Sequence, residues 1–514
     1  MIVIPCLRCG LKSNIGEIPV PRKLCAVVLG LLLINAVAAQ PPREGKTDKA
    51  KSDTVKADNL KDNFATTHHS VMVNGAKLTY TATAGTLVLK DDEGKPRASV
   101  FFTAYTRDEI KDVSTRPLMF LFNGGPGSSS VWLHLGAFGP RRVLLAEDGK
   151  TVAPPYRLVD NEATLLDVSD LVFVDPVSTG YSRAAAGVDS KQFHGVQEDV
   201  EANAAFIQRY VTHFHRWDSP KFLAGESYGT TRCAGLAGQL QEHDGMNLNG
   251  VLLISVVLNF QTIRFDEGND LPYVLFLPSY TATAWYHKKL GGDLQSDLDK
   301  AVAEAEKFAR GEYAEALLRG TLSADEQQTI ARKVARLTGL SEDYVRRSDL
   351  RIDAGRFRKE LLRGQDRTLG RYDSRFVGRD LDSAGEYPEY DPSYAVVQGP
   401  FTALVNQYLR QDLKYESDLT YRVLTGKVQP WSYGGARNRY LNVAPTLRKA
   451  MTTNPGLRLF VANGRYDLAT PFFATRYTLD HLGLSRELAE HVTVEHYPAG
   501  HMMYIEPGSL LKLK

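Results

Sequence analysis

One pentapeptide constrains this chain more than any other stretch. Gly225-Glu226-Ser227-Tyr228-Gly229 is its sole G-x-S-x-G, and it follows the apolar approach Phe222-Leu223-Ala224. A serine between glycines at this spacing, after an apolar strand, predicts a nucleophile elbow: a strained strand-to-helix turn that lifts the serine oxygen out of the backbone at the top of an α/β sheet. The pattern also recurs in ordinary glycine-rich loops, so reading it as a serine hydrolase depends on the rest of the chain.

That fold requires an acid and then a histidine downstream of the serine, each at the end of a strand. Leu457-Arg458-Leu459-Phe460-Val461-Ala462 is a short apolar run that leads through Asn463-Gly464-Arg465-Tyr466 to Asp467. Val492-Thr493-Val494-Glu495-His496 alternates like a strand and precedes Tyr497-Pro498-Ala499-Gly500-His501. A serine hydroxyl is a poor nucleophile at neutral pH, so a histidine must take its proton and a buried carboxylate must orient the imidazole. Ser227, His501 and Asp467 are the candidate nucleophile, base and orienter. His481, His491 and His496 are rival bases, but they fall in an amphipathic helix, a loop and a strand, whereas His501 follows a Pro-Ala-Gly turn.

Leu118-Met119-Phe120-Leu121-Phe122 reads as a buried strand that opens into Asn123-Gly124-Gly125-Pro126-Gly127-Ser128-Ser129-Ser130. Glycines let backbone approach a ligand closely, and a loop after an early strand is where such hydrolases place one oxyanion-hole N–H. The second comes from the residue after the nucleophile. Gly125 and Tyr228 are the candidate donors; the other reading of the loop is a plain Gly-Pro turn.

With these segments in order, the chain resembles the serine carboxypeptidases, whose fingerprints are N-G-G-P-G-x-S-S, G-E-S-Y, D-x-P-x-G-x-G-[FY]-S, and a late G-x-x-D and G-H-M. They match here at Asn123 to Ser130, Gly225 to Tyr228, Gly464 to Asp467 and Gly500-His501-Met502. Asp175-Pro176-Val177-Ser178-Thr179-Gly180-Tyr181-Ser182 matches loosely, one residue shorter and with Ser178 for the first glycine. The resemblance implies an α/β-hydrolase fold with an inserted lid. It also implies removal of single residues from peptide C-termini through an acyl-enzyme, with no cofactor. By the same resemblance, Asn123 and Glu226 hold the substrate's terminal carboxylate.

Two positions depart from the family. A second Glu usually precedes x-G-P, but Gly136-Ala137-Phe138-Gly139-Pro140 has Ala137 there. Two adjacent carboxyls share a proton and can then donate to a substrate carboxylate at acid pH. Without that partner for Glu226, the sequence predicts activity nearer neutral pH, or help from a cation such as Arg141 or Arg142, since a guanidinium grips a carboxylate bidentately. The plain alternative for both arginines is surface charge. Ser128 stands where eukaryotic members usually carry a cysteine. Of four cysteines, Cys6, Cys9 and Cys25 lie near the N-terminus, which leaves Cys233 as a buried apolar residue with no intrachain disulfide after processing.

Arg22-Lys23, the apolar run from Leu24 to Ile34 and Ala36-Val37-Ala38-Ala39-Gln40 predict a signal peptide over 1–39 and a periplasmic or secreted protein. The run is shorter than the ~20 residues that span a bilayer. Removing 1–39 takes away four basic residues and Glu17, so the formal charge moves from +2 to −1. That balance argues against a nucleic-acid partner. His68-His69 is a lone pair in a polar stretch, and no H-E-x-x-H or C-x-x-C accompanies it apart from Cys6-Leu7-Arg8-Cys9 in the expected signal segment.

Residues 40–66, rich in Pro, Lys and Asp, read as a flexible leader. Strand-like runs follow at Leu78 to Leu89, Ser99 to Tyr105, Leu118 to Phe122, Leu171 to Val174, Phe222 to Ala224 and Val251 to Leu258, with helical spacing over Val196 to Phe214. This alternation predicts a mixed, mostly parallel central sheet with helices on both faces. Core residues 67–261 and 441–514 then flank a largely helical lid over 262–440, whose helices start at Ser323-Ala324-Asp325-Glu326 and Ser341-Glu342-Asp343. Tyr372 to Tyr394 reads as a loop, either lining the substrate entrance or lying on the surface. Two further functions fit the same scaffold: an esterase or acyltransferase, and a non-catalytic binding protein. Oligomeric state leaves no mark in the sequence.

Overall fold

The computed structural model describes residues 60–146 and 153–514. The expected signal peptide and residues 40–59 of the expected leader lie outside the described residues. The strands are β1 (Asn63–Val73), β2 (Ala76–Lys90), β3 (Pro96–Arg107), β4 (Leu118–Phe122), β5 (Arg141–Val143), β6 (Leu158–Asp160), β7 (Asp170–Val174), β8 (Arg183–Ala184), β9 (Lys221–Glu226), β10 (Gly250–Ile254), β11 (Thr368–Leu369), β12 (Val377–Gly378), β13 (Arg458–Gly464) and β14 (Val492–Tyr497). The central sheet runs β1-β2-β3-β7-β4-β9-β10-β13-β14, with β8 also on β3. From β7 to β14 every neighbouring pair is parallel, whereas β1, β2, β3 and β7 pair antiparallel.

A parallel strand covered on both faces reads as a continuous apolar run, because alternate side chains enter two different cores. In β4, Leu118, Phe120 and Phe122 join one apolar cluster while Met119 and Leu121 join the other. The first cluster also holds Val200, Phe206, Ile207 and Tyr210 of helix α1 (Val196–His213) and Leu236 and Leu240 of helix α2 (Tyr228–Glu242). The second receives Val397, Phe401 and Leu404 of the helix Pro392–Gln411.

Two boundaries differ from the sequence expectation. The last residues of the expected leader form the start of β1, which pairs along its whole length with β2. The hairpin turns at Asn74 and Gly75, with φ of 50° and 76°, as a two-residue primed turn requires. A strand of polar and β-branched residues on the sheet edge gives no strong apolar signal, since its outer face meets water. At the other end, β10 stops at Ile254 instead of continuing to Leu258. Ser255 takes φ 52°, gives its N–H to the Ala462 carbonyl (2.8 Å) and its hydroxyl to the His501 carbonyl (2.6 Å).

Between β10 and β13 the chain is mainly helical. Ser323 forms the capping box with Glu326, and Ser341 caps its helix by accepting from the Tyr344 N–H. These helices close their own apolar cluster, which also takes in Tyr466, Leu468, Phe472 and Phe473 from beyond β13.

Candidate active site

Ser227 sits between β9 and α2 at φ 58° and ψ −128°, a conformation that a serine adopts only under constraint. The turn is tight enough to exclude side chains around it: a Cβ on Gly229 would lie 2.4 Å from the Phe122 carbonyl oxygen. Gly125 takes φ 106° in the loop after β4, where a side chain would be strained. Gly125, Ser227 and Tyr228 line one cavity of about 560 Å³. Tyr228 opens α2, so its N–H has no partner within the helix. Among the described residues, no backbone carbonyl takes up the N–H of Gly125 or Tyr228.

Asp467 and His501 follow the ends of neighbouring strands β13 and β14. His501 Nδ1 lies 2.7 Å from Asp467 Oδ2. Asp467 is fully buried, and its carboxylate also accepts from the N–H groups of Ala469 and Thr470 and from the Thr470 hydroxyl (2.7, 3.0 and 2.7 Å). An acceptor-only carboxylate fixes the imidazole proton on Nδ1 and leaves Nε2 free as a base. Burial opposes charging of His501, yet the charge of Asp467, its hydrogen bond and the charge of Glu226 outweigh it and hold the imidazole above its ordinary value. The histidine loop is clamped from a distant segment: His501 N–H donates to the Tyr372 carbonyl (2.6 Å) and Gly500 N–H to Asp373 (3.0 Å).

Ser227, His501, Glu226, Tyr372 and Tyr394 line a second, smaller cleft of about 40 Å³. Both ends of the expected Tyr372 to Tyr394 loop therefore stand at the serine. The rival histidines do not: His481 Nδ1 donates to the Tyr477 carbonyl of its own helix, His491 precedes β14, and His496 lies within it against Phe472.

The glycine loop is braced from two sides. Arg232 of α2 is fully buried; it donates to the Asn123 carbonyl (2.6 Å), pairs with Asp199 of α1 (2.7 Å), and lies over the rings of Phe122 and Tyr228. Asp175 accepts from the N–H and hydroxyl of Ser130, both at 2.8 Å. Ser178 in the same segment takes φ 78°, which explains why a glycine suits that position in the family pattern. Ser128 is held by hydrogen bonds: its hydroxyl accepts from Trp132 Nε1 and donates to the Ser129 carbonyl, both at 2.9 Å. Cys233 is buried, and burial pushes its thiol up to about 12.

The sequence pattern of the serine carboxypeptidases matches residues 79–497, most of the chain. The chain belongs to the serine carboxypeptidase family. Serine carboxypeptidase-like 36 of Arabidopsis thaliana is 29% identical over 244 residues, 45% of this chain and 48% of that protein. Pheromone-processing carboxypeptidase KEX1 of Saccharomyces cerevisiae is 30% identical over 161 residues, 30% of this chain and 21% of that protein. The chain thus spans about half, or less, of the length of these curated relatives. The crystal structure of the Saccharomyces cerevisiae prohormone-processing carboxypeptidase KEX1 shares the fold, with a TM-score of 0.52 at 17% identity over 84% of this chain and 89% of that one.

In this member of the family Glu226 is buried next to the elbow serine, and the Tyr504 hydroxyl donates to it. Burial pushes the Glu226 carboxyl up to about 7, against the lowering effects of His501, Tyr504 and Asn123. Asn123 is fully buried and its Oδ1 accepts from the Leu133 N–H (3.1 Å). Its Nδ2 lies beside Glu226 and Tyr504 without a well-formed hydrogen bond of its own.

Tyr504 is the residue that sequence reasoning missed. Its ring lies against Gly136, where a Cβ would come within 2.7 Å, and Ala137 follows directly in the family's acid position. A phenol reaching in from the end of the chain thus meets Glu226 where the sequence lacks a second carboxyl. The one signal for it was the loss of that carboxyl, which calls for a substitute donor.

Arg141 and Arg142 are placed elsewhere. Arg141 pairs with Asp160 across the β5–β6 ribbon (2.9 Å) and donates to the Leu158 carbonyl (3.1 Å). Arg142 lines a cavity of about 20 Å³ on the far side of Tyr504. Neither lines the clefts at Ser227. Both are half-buried in or beside this ribbon and away from the serine, so the expectation that these arginines grip the carboxylate has no geometric support.

Proposed function

We propose that this protein is a serine-type carboxypeptidase that removes single residues from peptide C-termini. Ser227 Oγ attacks the last peptide carbonyl while His501 Nε2 takes its proton, and Asp467 stabilises the imidazolium. The N–H groups of Gly125 and Tyr228 receive the developing oxyanion. His501 returns the proton to the leaving amine, which departs as a free amino acid, and water then releases the acyl group by the reverse sequence. The helical segment 262–440 serves as a lid over this cleft. Export of the chain is proposed on its N-terminal sequence; among the described residues no helix is long and apolar enough to cross a membrane.

The observation that carries the reading is the buried polar trio of Glu226, Asn123 and Tyr504 beside the nucleophile. A bare esterase has no use for a carboxyl protonated near neutrality and an unsatisfied amide at that spot, since buried polar groups without partners are costly. A substrate carboxylate would satisfy both. The test is release of free amino acid from an N-blocked dipeptide and from its C-terminal amide, with Ser227→Ala as control. Strong preference for the free acid, lost in the control, is expected; equal turnover of amide and acid, or of simple esters only, would give the scaffold to an acyl-transfer function.

The pH dependence follows from Glu226. Its carboxyl is neutral and can donate to substrate carboxylate below about 7, and becomes an anion that repels it above. KM for a free-acid peptide should therefore be level in mild acid and rise above neutrality by up to about tenfold per pH unit. Glu226→Gln, which cannot ionise, should flatten that rise, and persistence of the rise in this variant would assign it to another group. Tyr504→Phe should raise KM by roughly tenfold with a smaller change in kcat, the loss of one hydrogen bond to a charged or strongly polar partner. An unchanged KM would make Tyr504 a packing residue.

A further inference from the structure

The cavity of about 560 Å³ on the oxyanion side of Ser227 is walled by Arg264, Arg358 and Arg371. Its one carboxylate, Asp353, is already engaged by the N–H groups of Gly355 and Arg356 (2.8 and 3.0 Å) and by the Tyr387 hydroxyl (3.3 Å). Arg358 is buried, with 7% exposure, yet among the described residues no carboxylate lies within ion-pair distance of it. Among the described residues it donates only to the carbonyls of Leu369 (2.9 Å) and Tyr390 (3.3 Å).

The nearest acids are committed elsewhere. Asp380 is bound to the buried Lys359 Nζ (2.5 Å), and Asp391 caps a helix through Ser393 while also accepting from the Arg371 backbone (2.9 Å). Burial pushes the Arg358 guanidinium down, Arg371 adds to that effect, and Asp391 and Asp380 oppose it only in part. Arg371 is exposed and sits over the Tyr372 ring, and Arg264 over Phe260, with no acid partner for either side chain among the described residues. A buried cation without a counter-ion is costly, and one at a cavity wall gains most from an anion that enters the cavity.

On the carboxypeptidase reading, we infer that this cavity binds the side chain of the penultimate residue and selects an acidic one, Glu or Asp, with Arg358 and Arg371 as its partners. Two spaces meet at Ser227. If Glu226 and Asn123 hold the terminal carboxylate in the smaller cleft, the acyl side of the substrate must enter the larger. There its apolar floor, including Phe265, Phe276 and Leu468, receives the methylenes of a glutamate while the guanidinium groups meet its end.

The test compares kcat/KM for N-blocked dipeptides that share a C-terminal residue and carry Glu, Gln, Leu or Lys at the penultimate position. Glu should exceed Gln by about tenfold or more, the worth of a charge-assisted contact, and Lys should be poorest. Arg371→Gln and Arg358→Met should each lower the Glu-to-Gln ratio. That ratio is measured on one preparation, so partial misfolding of the buried-site variant cancels, and the exposed Arg371 provides the second variant. Equal or better turnover of Gln, or a ratio unmoved by both substitutions, would overturn the inference. So would a rise in KM in Arg371→Gln that is the same for every free-acid peptide, which would assign the arginines to the terminal carboxylate. Failure of the parent reading looks different: no free-acid peptide is cleaved, whatever its penultimate residue, and the inference falls with it.

Discussion

Ser227→Ala and Asp467→Asn should lower kcat by ~10⁶-fold and ~10⁴-fold respectively, magnitudes typical of triad members elsewhere. The two losses have different causes. Without Ser227 Oγ no acyl-enzyme forms, and what remains is water attack in the oxyanion hole. The Asp467→Asn substitution would keep the shape of the site but present an amide that can donate to His501 Nδ1, moving the imidazole proton to Nε2, where it faces the nucleophile. The Asp467 charge is also the leading influence that raises His501 against its burial. Its removal should therefore move the acid limb of the remaining kcat/KM profile to lower pH. Single-turnover acylation across pH would check both effects. An Asp467→Asn enzyme within tenfold of the parent would mean that His501 is oriented by something other than this carboxylate.

Arg232→Met should destabilise the fold by about 3–5 kcal/mol, the usual cost of stripping one member from a buried ion pair. The side chains of Arg232 and Asp199 are 1% and 4% exposed, so solvent screens neither. The substitution leaves Asp199 charged and buried, and it releases the Asn123 carbonyl that anchors the glycine loop. The double variant Asp199→Asn/Arg232→Met removes the orphaned charge and should recover much of the stability, because a neutral buried pair is tolerated better than a lone ion. Urea unfolding midpoints would measure both. A single substitution costing under ~1 kcal/mol, or a double variant worse than the single, would show that the pair contributes little.

Much of the fold was legible because the signals are local. β4 matches its apolar run residue for residue, β7 and β9 extend theirs by one to three residues, and α1 begins at Val196 as the helical spacing predicts. Ser323 and Ser341 cap the helices they were expected to start. β1 escaped notice because an edge strand alternates weakly, and the end of β10 because Ser255 leaves the sheet to bind the His501 carbonyl, a contact 246 residues away.

The sequence by itself determined the elbow, the order of serine, acid and histidine, and the loop after β4. The elbow and the loop each depend on residues within one turn of one another, where glycine spacing dictates the backbone, and the acid and the histidine each follow a strand marked by its own local run. Tertiary structure decided what stands around them. Tyr504 meets Glu226 across 278 positions, Arg141 is carried away by its pairing with Asp160, and Arg358 and Arg371 are brought to the cavity beside Ser227 from the helical segment. A side chain's partners across such separations are set by how the sheet and its insertion pack, and no short stretch of sequence encodes that packing.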